Sequence, residues 1–180
     1  MNIIEKAAAT YPSEEQQALT YFKGEAFRGK KDCKKAQELF DAVLASTEKN
    51  IYTGASHIAK GLCLMEEGQY DPAVAAFARP LEENAEDHTI IMRARFETAR
   101  AFEAQKKNEE ALRFYLLVTT LYDDEQYCPE ALLRAGGIFE QMGKPQEATN
   151  TFKEILNRYP DSPLLEAALK RIKSLSEIQN

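Results

Sequence analysis

Residues 136–160 read GGIFEQMGKPQEATNTFKEILNRYP. Gly136 stands three residues before Phe139, and Ala148 stands four before Phe152. Between the pairs lies Gly143-Lys144-Pro145, a helix stop followed at once by proline suited to a first helical turn. Small and large residues at spacings of three and four fall on one face of a helix. The stretch therefore reads as two helices joined by a tight turn. Each carries a small residue where the other comes close and a large one that fills the space beside it.

Working outward, the same pattern recurs. The second-helix pair appears as Ala36/Phe40, Ala73/Phe77, Ala111/Tyr115 and Ala148/Phe152, with steps of 37, 38 and 37 residues between the alanines. The first-helix pair appears as Gly24/Phe27, Gly61/Leu64, Ala99/Phe102 and Gly136/Phe139. A fixed period of this size marks an array of helix-turn-helix units. Val43, Pro80, Val118 and Ile155 follow three residues after each aromatic and extend the apolar face. The punctuation agrees. Ser13 with Gln16 reads as a capping box, Asp32 as a cap after Gly29-Lys30-Lys31, and Gly68 as a stop before Asp71-Pro72. Asn108, Cys128-Pro129 and Ser162-Pro163 are further starts, the last opening a helix to about Ile178. Lys30, Lys31, Lys106, Lys107 and Lys144 sit in the turns, where cations offset the negative ends of helix dipoles. No segment reads as strand.

The chain has 180 residues, 44% apolar and 29% charged, with a formal net charge of −6. That balance fits a folded domain and disfavours nucleic acid, which needs a concentrated basic face. No apolar run is long enough to span a bilayer as a helix, and no direct membrane insertion is expected. The three cysteines are far apart in sequence, and His57 and His88 lie too far from them for zinc spacing, so no metal is expected. Asp123-Asp124-Glu125 lacks the spacing of a calcium loop. No phosphate loop, nucleophile-base pair or paired histidines appear, so no catalytic residue, cofactor or enzyme activity is expected.

The pattern resembles the tetratricopeptide repeat family. Gly136, Phe139, Gly143, Ala148, Phe152 and Pro160 match its signature positions, and Tyr159-Pro160-Asp161-Ser162 is similar to the linker of its bacterial cell-envelope members, the Tol–Pal coordinator and the barrel-assembly lipoprotein. The resemblance implies an all-α right-handed superhelix of about four repeats: residues 13–49, 50–86, 87–124 and 125–161, with a capping helix at 162–180. It also implies a lean toward the bacterial periplasm or envelope, with the cytoplasm as the alternative. The unpaired cysteines argue against an oxidising compartment.

In this family the first helices line a concave groove. Carried onto this chain, the groove positions include Tyr21, Glu25 and Arg28, then Ile58, Leu62 and Met65, then Arg93, Phe96 and Arg100, and finally Leu133 and Gly137. Apolar anchors with charged surroundings suit a peptide or protein segment. Ile58 and Leu62 read equally as packing residues, Met65 more as a groove residue, and Arg93, Glu97 and Arg100 more as an intrahelical charge ladder. Gly137 leaves room either for a ligand backbone or for the capping helix. The family's chaperone clamp is broken, with Tyr21 and Glu25 in the first repeat and Arg93 and Glu97 in the third, so capture of an Hsp70 or Hsp90 tail is not expected.

Two departures matter. The family's first-helix tryptophan position holds Thr20, His57, Arg95 and Leu132. Pro80 falls inside a second helix, which is expected to kink or stop near Arg79. At the N-terminus, Tyr11-Pro12 echoes Tyr159-Pro160, so residues 1–12 read as half a repeat of a longer array or as an N-terminal cap. The expected function is a non-enzymatic scaffold that binds a peptide or protein. The alternative is a spacer or oligomerisation array with no groove ligand.

Overall fold

The computed structural model describes residues 13–83 and 87–178. Every regular element among them is an α-helix: α1 (Ser13–Gly29), α2 (Cys33–Leu44), α3 (Ile51–Glu66), α4 (Tyr70–Glu82), α5 (His88–Ala104), α6 (Asn108–Leu121), α7 (Tyr127–Gln141), α8 (Pro145–Arg158) and α9 (Leu165–Ile178). The chain divides into two compact units, with the boundary between Glu97 and Thr98 inside α5. The half-repeat read at residues 1–12, and the Ser13 side chain of the capping box, lie outside the described residues.

In the first unit α1 packs on α2, α2 on α3, and α3 on α4. Contact is closest where glycine meets phenylalanine. A Cβ added to Gly24 would run into the Phe40 ring, and one added to Gly61 would run into Phe77. Both rings are fully buried, each worth about 1.5–3 kcal/mol in apolar burial. In the second unit Gly136 of α7 meets Phe152 of α8 in the same way. At the equivalent place on α5 and α6, Ala99 and Tyr115 are both fully buried. The small residue of one helix thus seats the ring of the next, which is why the two sequence signals share one period.

The turns inside the helix pairs share a hydrogen-bond scheme. Asp32 N–H donates to Phe27 O at 3.0 Å, Gln69 to Leu64 at 2.8 Å, Lys107 to Phe102 at 2.9 Å and Lys144 to Phe139 at 2.9 Å. This six-to-one bond needs a left-handed residue just before its donor. Gly68 and Gly143 supply it with φ of 75° and 68°, whereas Lys31 and Lys106 are forced to 61° and 59°. The lysines therefore do more than face helix ends: two of them occupy a conformation that suits glycine.

Asp32 caps α2 by accepting from Lys35 N. Asn50 caps α3, with Thr53 completing a capping box that the sequence reading missed. The linker after α8 is also explained. Tyr159 Oη donates to Asp123 Oδ1 at 2.8 Å, and Arg158 Nη1 donates to Thr119 O at 3.0 Å. They fasten the end of α8 to the segment after α6 and to the last turn of α6 itself.

Of the kink or stop expected near Arg79, the stop is corrected. Helix α4 does not stop at Arg79 but runs on to Glu82. Proline lies in the last turn, and its ring is fully buried. It fills the place that Val43, Val118 and Ile155 fill in the other second helices, all three at most 2% exposed.

Candidate functional site

In the first unit the expected groove residues split by burial. Ile58 is 0% exposed and Phe96 is 2% exposed. As folded, neither offers surface, and both are corrected to packing residues: at their positions on α3 and α5 the apolar stripe faces inward. Leu62, Met65, Tyr21, Glu25, Arg28 and Arg93 remain half-buried. Arg28 grips Glu25 with two hydrogen bonds, at 2.9 and 2.8 Å, and reaches Glu66 at 3.7 Å. The Glu25 bond comes first among the causes that hold the Arg28 guanidinium firmly charged.

Tyr21 lies among the Phe22, Phe40 and Tyr52 rings, with centroids 5.3–6.0 Å away. Burial pushes its phenol up, Glu25 adds to this, and the neighbouring Arg93 opposes it. Nε of Arg93 is buried without a hydrogen-bond partner among the described residues. Leu19, Phe22 and Ile51 lie nearby along the chain and are 48%, 59% and 49% exposed.

In the second unit the expected residues Leu133 and Gly137 border a cleft of about 560 Å³ between α7 and α9. Arg134, Lys170 and Arg171 also line it, with Glu103 at one edge. Arg100 is half-buried and does not line the cleft. Glu103 is held by two donors, Tyr115 Oη at 2.6 Å and Arg134 Nη1 at 3.1 Å. Arg134 also binds Glu130 at 2.9 Å. Burial works against the charge on Arg134, but Tyr115, Glu130 and Glu103 hold it protonated. Burial, then the Glu103 bond, pushes the Tyr115 phenol well above its usual range. Arg171 pairs with Glu140 and approaches the place where a Gly137 Cβ would be, at 3.6 Å. Nothing else comes near that position, so the missing side chain is open space on the cleft wall.

The sequence reading found Leu133 and Gly137 but missed Arg134, Lys170 and Arg171 as cleft residues. It read the last helix only as a cap, whereas its two cations, Lys170 and Arg171, are exposed and lie on a face that borders α7. Arg134 had a legible signal, since it lies three residues before Gly137 on the same helix side. Its bond to Glu103, thirty-one residues away, had none.

Among the described residues no group of three or more histidine, cysteine or acidic side chains could hold a metal ion, and no helix is long and apolar enough to cross a membrane.

A family model described as a tetratricopeptide repeat-like domain matches residues 4–174, and the chain belongs to that family. Solved structures agree on the fold, an all-α superhelical repeat. A tetratricopeptide repeat protein from Parabacteroides merdae is 19% identical, with a TM-score of 0.71 over 89% of this chain and 60% of its own. PilF of Pseudomonas aeruginosa is 17% identical, with a TM-score of 0.73 over 93% of this chain and 70% of its own. YrrB, described as a tetratricopeptide repeat protein with an unusual peptide-binding site, is 23% identical, with a TM-score of 0.63 over 86% of this chain and 74% of its own. The chain thus spans about three fifths of the Parabacteroides protein. No curated protein sequence matches it.

Proposed function

We propose that this tetratricopeptide repeat protein is a non-enzymatic scaffold that binds a peptide or protein segment through its first helices, and that in the second unit the segment lies in the cleft between α7 and α9. The observation that carries this reading is the pair of adjacent glycines on α7. Gly136 is filled by the Phe152 ring, and so has a packing reason. Gly137 faces a cleft of about 560 Å³, and only the tip of the Arg171 side chain of α9 comes near its missing Cβ, at 3.6 Å. A mid-helix glycine costs about 1 kcal/mol relative to alanine, so a glycine approached only by the end of one long side chain supports a second use for the space. A peptide backbone passing close to the helix is such a use. Leu133 supplies an apolar contact, and Arg134, Lys170 and Arg171 supply polar ones. In the first unit Tyr21, Leu62, Met65 and the Glu25–Arg28 pair offer a comparable mixed surface. The peptide-binding site named for YrrB supports the same class of function.

The test is a peptide-display selection on the folded chain, followed by titration of an enriched peptide. Gly137→Met fills the cleft wall and is expected to weaken binding by about tenfold or more, with a melting temperature no lower than the parent's, since methionine is the better helix former. Unchanged affinity in that variant would remove the cleft from the site. A second reading, oligomerisation without a groove ligand, draws on the exposed Leu19, Phe22 and Ile51. It expects no enriched peptide, and a self-associated chain that Phe22→Ser converts to monomer in analytical ultracentrifugation.

A further inference from the structure

We propose that Cys33 and Cys63 are a redox couple that closes to an intramolecular disulfide, bridging the start of α2 to the last turns of α3. The two residues are thirty apart in sequence, but they fall in one buried cluster with Ala36, Phe40 and Ala59. Cys33 is the first residue of α2 and is 8% exposed, whereas Cys63 is 0% exposed. One thiol thus lies at the edge of the core, within reach of a small oxidant, and the other lies behind it. Cys33 Sγ also lies 3.6 Å from Glu66 Oε2, which accepts its proton.

The chemistry that fits is oxidation by a hydroperoxide. Cys33 loses its proton to the Glu66 carboxylate, and the thiolate sulfur attacks one peroxide oxygen. An S–O bond forms and the O–O bond breaks. The hydroxide that leaves takes the proton from Glu66 and becomes water. The Cys63 sulfur then attacks the Cys33 sulfenic acid. The S–S bond forms, the S–O bond breaks, and the hydroxyl leaves as a second water with the Cys63 proton. Two thiols and one hydrogen peroxide give one disulfide and two waters, each sulfur surrendering one electron. A low-molecular-weight disulfide would reach the same product by exchange.

Burial pushes the Cys33 thiol up, and burial followed by Cys33 itself pushes Cys63 up further. Both are protonated at neutral pH, so closure is slow there and quickens as the solution becomes alkaline. Cys128 is the internal control. It is fully buried, with the Asp124 N–H at 3.4 Å and the Tyr122 and Val118 carbonyls at 3.5 and 3.9 Å among its contacts. The inference rests on the first unit alone and does not depend on the cleft between α7 and α9.

The experiment exposes the folded chain to hydrogen peroxide, removes the peroxide with catalase, then unfolds and alkylates the protein for intact mass and peptide mapping. The expected product carries one alkylated thiol, at Cys128, and is lighter by two hydrogens before alkylation. It yields a cross-linked peptide containing Cys33 and Cys63 and reverts with dithiothreitol. Cys128→Ser leaves the bridge intact, and Cys33→Ser or Cys63→Ser abolishes it. If either serine variant does not fold, the wild-type peptide map decides alone. Three alkylated thiols after exposure, oxygen added to Cys33 without a cross-link, or a bridge to Cys128 or between molecules would each overturn the proposal.

Discussion

At the scale of the residue, neighbouring glycines on one helix carry opposite expectations. Gly137→Ala adds a methyl group whose nearest neighbour is Arg171 Nη2 at 3.6 Å, and it is expected to raise stability by about 1 kcal/mol through helix propensity. Gly136→Ala drives a methyl group into the buried Phe152 ring and is expected to cost about 1–3 kcal/mol. Thermal denaturation of the two variants side by side checks both signs. Equal effects would mean that the ring does not depend on the missing Cβ. The turns give a second pair. Lys106 sits at φ 59° and Gly143 at φ 68° in equivalent places. Lys106→Gly should gain about 1 kcal/mol, and Gly143→Ala should lose a similar amount.

His57 adds a pH dependence. Burial lowers its pKa from the ordinary 6.5, against the opposing pull of Glu83, whose Oε1 lies 3.4 Å from Nε2. Lys49 and Arg79 add to the lowering. The folded state therefore binds fewer protons than the unfolded one just below pH 6.5. The stability tied to His57 is complete above that pH and is lost as acidification carries the solution down through the folded pKa. Urea melts at stepped pH should show this slope, and His57→Gln should flatten it. A slope unchanged in the variant would assign the effect to other groups.

At the scale of the element, α4 tests whether proline is a defect or a filler. Pro80 is fully buried at the place of Val43, Val118 and Ile155. Pro80→Val keeps the volume and restores an N–H that can donate to Ala76. It is expected to gain about 1 kcal/mol, and Pro80→Ala to gain less because it vacates buried space. A Pro80→Val variant less stable than the parent in urea would show that the last turn is built around the ring.

This helix also marks the limit of the sequence reading. Helix existence was legible because small-large spacing repeats four times with turn residues in phase. The stop expected near Arg79 did not occur because propensity counts only proline's local cost, whereas Pro80 is fully buried where the other second helices place Val43, Val118 and Ile155. Phe96 was misplaced, and Ile58 left open between groove and packing, for a related reason. Spacing puts a residue on a helix face, but two helices on either side can bury both flanks of that face. Leu133 and Gly137 could be found from family positions, whereas the Tyr115–Glu103–Arg134 network could not. Its members come from three helices, and no local pattern joins them.

At the scale of the whole molecule, each unit repeats one device, a ring seated on a bare backbone, and departs from it where a surface is left open. Ala99 replaces glycine opposite Tyr115, whose hydroxyl then orders Glu103 and, through it, Arg134 at the cleft. The architecture invests its regularity in packing and its exceptions in polar surface. The central claim is that the open surface at α7 and α9 receives a peptide. Hydrogen–deuterium exchange of the intact chain, with and without a display-selected peptide, tests this most directly. The account predicts slowed exchange in Tyr127–Gln141 and Leu165–Ile178, and loss of that protection in Gly137→Met. Protection confined to Asn108–Leu121 and Pro145–Arg158, or persisting in the variant, would contradict it.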